Sequence, residues 1–174
     1  MSSYQFHFRN RYAKDGIALA MQKYLNGKKP VIVCVGTDLI AGDSLGPTAG
    51  TLIKDANAKC VVIGSLRSTV TAKEIKYLNY FLKATFPNHP VVVIDAAVGA
   101  EDEVGLIRLS DAPLYPGSGI KKKLGSLGDI SIQGIVAERG LLSLQALKEV
   151  RFHMIYEMAK HIAEGVSSYQ WNNC

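Results

Sequence analysis

Apolar residues fall along this chain in two rhythms. Val31-Ile-Val-Cys-Val35, Cys60-Val-Val-Ile63, Val91-Val-Val-Ile94 and Ile130 to Val136 are short runs dominated by branched side chains. All four read as strands, the Val31 and Val91 runs as ones covered on both faces of a parallel sheet. Leu106-Ile-Arg-Leu109 alternates and reads as a shorter strand with one wet face. Elsewhere the spacing is helical. Ile17, Leu19, Ala20, Met21, Tyr24 and Leu25 mark a helix from about Arg11, stopped by Asn26-Gly27. A second helix is expected from Ser44 to Ala56, with Pro47 tolerated in its first turn. Thr71-Ala-Lys-Glu74 resembles a capping box and opens a helix to about Ala84. Leu144, Leu147, Ile155, Met158 and Ile162 predict one long helix from Leu141 to about Gly165. Asp111 to Gly128 is a loop rich in proline and glycine. Strands alternating with helices predict a three-layer α/β/α sandwich with a mostly parallel central sheet, of the phosphorylase/hydrolase-like kind. The expectation is a single α/β domain over residues 1–174, with residues 1–29 a helical segment packed on it.

Composition narrows the function classes. Of 174 residues, 48% are hydrophobic and 20% charged, enough apolar surface for a sizeable core. The net charge of +5 is spread out, without the concentrated basic face of a dedicated nucleic-acid binder. Lys121-Lys122-Lys123 is the one tight basic run, either a solvated loop or a landing place for an anionic partner. Three cysteines with no CxxC spacing argue against a disulfide framework and fit a reducing cytoplasm. No apolar run approaches the roughly 20 residues of a membrane helix, and the amino terminus has no signal-like core. A protein of the cytoplasm without a membrane partner is expected.

Three acids stand near the predicted carboxyl edge of the sheet, where open α/β sheets place their functional crevice. Asp43 precedes a helix and reads either as its N-cap or as a site acid in the glycine-thinned loop of Gly36, Gly42 and Gly46. Asp95 follows Val91 to Ile94 and precedes the small Ala96-Ala97, as a strand-end cap or as an acid open to a cleft. Two such acids at one edge would share a proton, one serving as base and the other as acid, a route to amide hydrolysis without a metal. Glu138 is a third acid there, or a surface partner for Arg139. The histidines His7, His89, His153 and His161 follow no core strand, and no serine has a GxSxG setting.

Gly36-Thr-Asp-Leu-Ile-Ala-Gly-Asp43-Ser-Leu-Gly-Pro47, then Val-Ile-Asp95-Ala, then Pro116-Gly-Ser-Gly119, resemble the germination protease of spore-forming bacteria and its small relatives, the YyaC-type sporulation proteins. The first two motifs also resemble the hydrogenase maturation endopeptidases, which share that fold. The resemblance runs from about Pro30 to Val136. It implies an aspartate pair, Asp43 and Asp95, that cleaves small acid-soluble spore proteins or peptides in the forespore or mother-cell cytoplasm. It implies Gly42, Ser44 and Pro116 to Gly119 as substrate-binding positions, and no cofactor. In the maturation endopeptidases the same two aspartate positions bind nickel with a histidine on a later loop. Tyr115 to Lys122 offers no histidine here. A non-catalytic protein-binding module on the same fold, or a nickel-dependent endopeptidase, are the alternatives.

Overall fold

The computed structural model describes residues 3–71, 73–115, 125–140 and 143–171, and in it the branched runs become the centre of a six-stranded sheet. In chain order the strands are β1 (Ser3–His7), β2 (Val31–Cys34), β3 (Val61–Ile63), β4 (Val91–Gly99), β5 (Leu106–Ser110) and β6 (Ile130–Glu138). The helices are α1 (Ala13–Leu25), α2 (Leu45–Asp55), α3 (Ile75–Thr85), α4 (Ser143–Glu149) and α5 (Phe152–Ser168). Across the sheet the order is β1-β5-β6-β4-β2-β3. The run β3-β2-β4-β6 is parallel, while β5 lies antiparallel to β6, and β1 antiparallel to β5. The expected α/β sandwich with a mostly parallel sheet is present.

Alternation along the strands divides the core into two layers. Ile32, Cys34, Val92, Ile94 and Ile132 pack with Ile17, Met21, Leu45, Ile53, Met158 and Ile162 from α1, α2 and α5. On the other face Val31, Val33, Val91 and Val93 meet Ile75, Leu78 and Leu82 of α3, together with Leu114 and Leu127. Because β2 and the first half of β4 are buried on both faces, their uninterrupted apolar runs are what burial demands.

The structure departs from the expected elements in three places. Ser3–His7 is a strand within the segment expected to be helical, in register with β5 from Ser3 opposite Ser110 to His7 opposite Leu106. Its alternation of Tyr4 and Phe6 with Gln5 and His7 is too short to signal a strand without that distant partner. The long carboxyl-terminal helix is two helices, separated at Arg151, which is extended (φ −69°, ψ 122°). Neither glycine nor proline marks the break. Tertiary packing decides it, since α5 runs along α1 and α2 while α4 leans on the turn before α2. Finally, β4 continues past Ile94 to Gly99, because β6 keeps pairing beside it, with a bulge at Ala97 and Val98.

The first turn of α2 sits directly on the end of β2. A Cβ on Gly46 would lie 2.0 Å from the Val35 carbonyl oxygen, a backbone atom that cannot step aside. Gly46→Ala is therefore expected to cost about 1–3 kcal/mol in urea unfolding, the usual penalty of overpacking. Gly140→Ala, with nothing within 4 Å of the added methyl, is the control and should change stability by less than about 0.5 kcal/mol. Equal effects would mean that the α2–β2 contact yields freely.

Candidate functional site

Where β2 ends, the chain is held to both neighbours. The Val35 N–H donates to the Ile94 carbonyl at 2.8 Å, and the Gly36 N–H to the Val70 carbonyl at 2.9 Å. Gly36 then turns with φ +136°, and a Cβ there would fall 2.1 Å from the Asp43 carbonyl oxygen. Only glycine meets both conditions. The loop closes on itself when the Thr37 N–H donates to the Asp43 carbonyl at 3.1 Å and the Asp43 N–H to the Ile40 carbonyl at 3.0 Å. A 3₁₀ turn, Ala41–Ser44, runs straight into α2.

Asp43 is not the N-cap of that helix. No side chain caps either the 3₁₀ turn or α2, and the Ser44 hydroxyl donates back to the Ala41 carbonyl at 2.7 Å. Its carboxyl is left for something else. Asp95 lies inside β4, opposite Gln133 of β6, rather than beyond the strand's end. It is 8% exposed, and one carboxyl oxygen accepts from the Ala96 N–H at 2.9 Å.

Burial raises both carboxyls, and the charge of Asp43 acts on Asp95. Burial pushes Asp43 up to about 6, partly offset by the Thr37 N–H. Asp95 is raised well above the usual carboxylate range, first by burial and then by the negative charge of Asp43, with the Ala96 N–H pulling the other way. Among the described residues no cation contributes to either shift. Asp95, the more deeply buried and facing the charge of Asp43, holds its proton the more firmly of the two, while Asp43, at about 6, ionises first. That is one acid beside one base.

The remaining expected positions divide. Glu138 ends β6 exposed to solvent, and the Arg139 guanidinium donates instead to the Val98 carbonyl at 3.2 Å. So Glu138 neither joins the pair nor makes the expected ion pair. Gly42 faces α4, where a Cβ would meet the Leu147 carbonyl oxygen at 2.7 Å. Ser44 is buried and its hydroxyl is committed. Both shape the turn and the seat of α4. Pro116, Gly117, Ser118, Gly119 and Lys121 to Lys123 lie outside the described residues. Two contributors escaped the sequence reading. Thr37 acts through its backbone, which no side-chain pattern reveals, and Leu147 passes for an ordinary core position of one long helix.

The nickel set of the maturation endopeptidases does not fit these donors. The pair supplies carboxylate oxygen alone, whereas nickel favours imidazole nitrogen. Among the described residues no third histidine, cysteine or acid joins the two aspartates in a group that could hold a metal. Residues 112–128 contain none of these types.

A family described as "Protein of unknown function (DUF1256)" matches residues 5–165. The chain belongs to this family. It is 37% identical over 142 residues to "Uncharacterized protein YyaC" of Bacillus subtilis (strain 168), across 81% of this chain and 69% of that protein. Among solved structures it is similar to the [NiFe] hydrogenase maturation protease HycI of Thermococcus kodakarensis KOD1. The TM-score is 0.53 at 22% identity, covering 85% of this chain and 96% of that one. At that identity the likeness concerns the fold. The relationship read from the motifs therefore holds: kinship with YyaC, on the fold of a maturation protease. Among the described residues no helix is long and apolar enough to cross a membrane.

A raised carboxyl has a stability signature. Folded Asp43 binds its proton more tightly than the unfolded chain does, so its share of stability is lost as pH climbs from about 4 through about 6. Asp43→Asn escapes that loss. Relative to wild type, the variant should gain about 1–3 kcal/mol between pH 4 and about 7.5, read from urea unfolding at both values. A difference that stays constant, or shrinks, would mean that Asp43 titrates as an ordinary surface acid.

Proposed function

We propose that this protein is a peptidase in which Asp43 and Asp95 share one proton and activate a water molecule. The observation that carries the reading is that burial pushes up both Asp43 and Asp95 and the charge of Asp43 raises Asp95 further, with no compensating cation among the described residues. Structural acids are ordinarily paired with a positive group, and unpaired like charges mark a working site. Ionised Asp43 takes a proton from water as the oxygen attacks the peptide carbonyl. Protonated Asp95 donates to the carbonyl oxygen, which becomes the tetrahedral hydroxyl. Asp43 then passes its proton to the departing amide nitrogen, and Asp95 recovers its own as the carbonyl re-forms. A base poised near neutral pH suits the first step.

The substrate class follows from the resemblance in the motifs: small acid-soluble spore proteins or peptides cut from them, in the cytoplasm of a sporulating cell. The fold of a maturation protease supports peptide chemistry in general, and kinship with YyaC supports the sporulation setting. The reaction as written needs no metal, so cleavage should continue after chelation. Loss of activity to a chelator and its return with nickel would favour the metal-dependent alternative.

Purified protein incubated with small acid-soluble spore proteins, with products read by mass spectrometry, tests the proposal. Asp43→Asn and Asp95→Asn should each lower kcat by about 10²–10⁴-fold. The double variant should be little slower than either single one, because the two act on one water as a unit. The rate should rise as Asp43 ionises through about pH 6 and fall again where Asp95 loses its proton. Saturable binding with no cleavage at any pH would make the protein a binding module.

A further inference from the structure

We propose that a groove at the amino-terminal end of β4, bounded by α3, binds an acidic segment of a partner protein. The groove has a volume of about 600 Å³ and lies among Lys76, Tyr80, Lys83, Phe86, His89 and Val91. Val91 begins β4 and Asp95 follows four residues later. At about 3.3 Å per residue the groove is therefore about 13 Å along the strand from the aspartate pair. It is a separate surface.

Charge and shape select the occupant. Helix α3 contains no acid, and its Lys76 and Lys83 stand two turns apart on one face, about 10 Å along the axis. Among the described residues neither lysine meets a carboxylate. The acid in the groove wall, Asp129, is already engaged, accepting from the Val91 N–H at 2.8 Å. Between the lysines the lining joins Asn79, whose side-chain amide donates to the Ser126 carbonyl at 3.1 Å, to the apolar Leu82 and to Phe86, which packs on His89. Tyr80 (67% exposed) stands at its rim, and beyond it α3 exposes Tyr77 (76%) and Phe81 (49%), three large rings on an 11-residue helix. Exposed aromatic rings are enriched at contact surfaces between proteins, and the two lysines supply the charge of a polar rim. A peptide in the polyproline II conformation, three residues per turn at about 3.1 Å each, with acids at i and i+3 sets both carboxylates on one face about 9 Å apart, close to the lysine spacing, and leaves apolar residues between them for the floor.

Other occupants fit less well. Two lysines are few for a nucleic acid, whose binders neutralise roughly 6–10 phosphates. A second copy docked about a twofold axis would set lysine against lysine.

The probe is a short fluorescein-labelled peptide of Glu-Leu-Ser repeats, followed by fluorescence anisotropy. It should bind saturably and lose affinity as salt rises past about 0.15 M. The same peptide with lysine in place of glutamate should not bind. Lys76→Glu with Lys83→Glu should weaken binding roughly tenfold or more. Lys59→Glu with Lys160→Glu changes the net charge equally on exposed positions elsewhere and should alter binding less than about twofold. Tyr80→Ala should weaken it severalfold, with circular dichroism confirming that each variant is folded. Equal loss in both lysine pairs would reduce the effect to net charge and overturn the site. So would tighter binding of oligothymidylate than of the peptide, or a dimer in sedimentation that the Lys76 and Lys83 reversals dissolve. The assay involves no cleavage, so it stands or falls independently of Asp43 and Asp95.

Discussion

The arrangement of the aspartate pair hangs on how closely α2 lies against the end of β2. Gly46 rests on the Val35 carbonyl and Gly50 on the Gly64 carbonyl, each nearer than any side chain would permit. With the helix held there, the connecting loop has to fold inward. Gly36 supplies the turn, and Thr37 closes it on Asp43. Backbone contact thus delivers one carboxyl, and the pairing of β4 between β2 and β6 fixes the other. Neither acid chooses its own position. This is how a scaffold can hold two like charges near each other: the strain is borne by hydrogen-bonded backbone rather than by the side chains that feel the repulsion.

That repulsion is also informative about chemistry. An acid that gathers donors is pulled down and stays ionised, as Glu103 is at the edge of this same molecule, held first by the Ala100 N–H and then by the Arg108 guanidinium. Asp43 and Asp95 are treated in the opposite way, both pushed up. Folding alone gives no reason to keep two such groups, because apolar residues of similar size would suit the site better. A reacting proton does give one.

Much of this was legible in the chain. The central strands announced themselves because burial on both faces leaves no room for polar residues, and Asn26-Gly27 marked the end of α1 through the left-handed conformation that Asn26 adopts. The acids could be picked out because each follows such a strand. What was hidden depended on partners remote in sequence. Asp95 looked like a strand terminus, since Ala96 and Ala97 have little strand preference, yet β6 carries pairing through to Gly99. The break before Phe152 has no local cause, and the cover that Leu147 lays over Gly42 shows only once α4 is seen to part from α5.

The position of β1 bears on the order in which the molecule assembles. Ser3–His7 emerges before the other five strands of the sheet, and its hydrogen-bonding partner, Leu106–Ser110, follows about a hundred residues later. Closing so long a loop is slow, and β1 has no other strand to pair with in the meantime. The earliest strand to be made is thus among the last to join the sheet. Until it does, the outer edge of β5 presents unpaired amides and carbonyls, so the nascent chain passes through a stage in which one edge of its sheet waits on a strand made long before it.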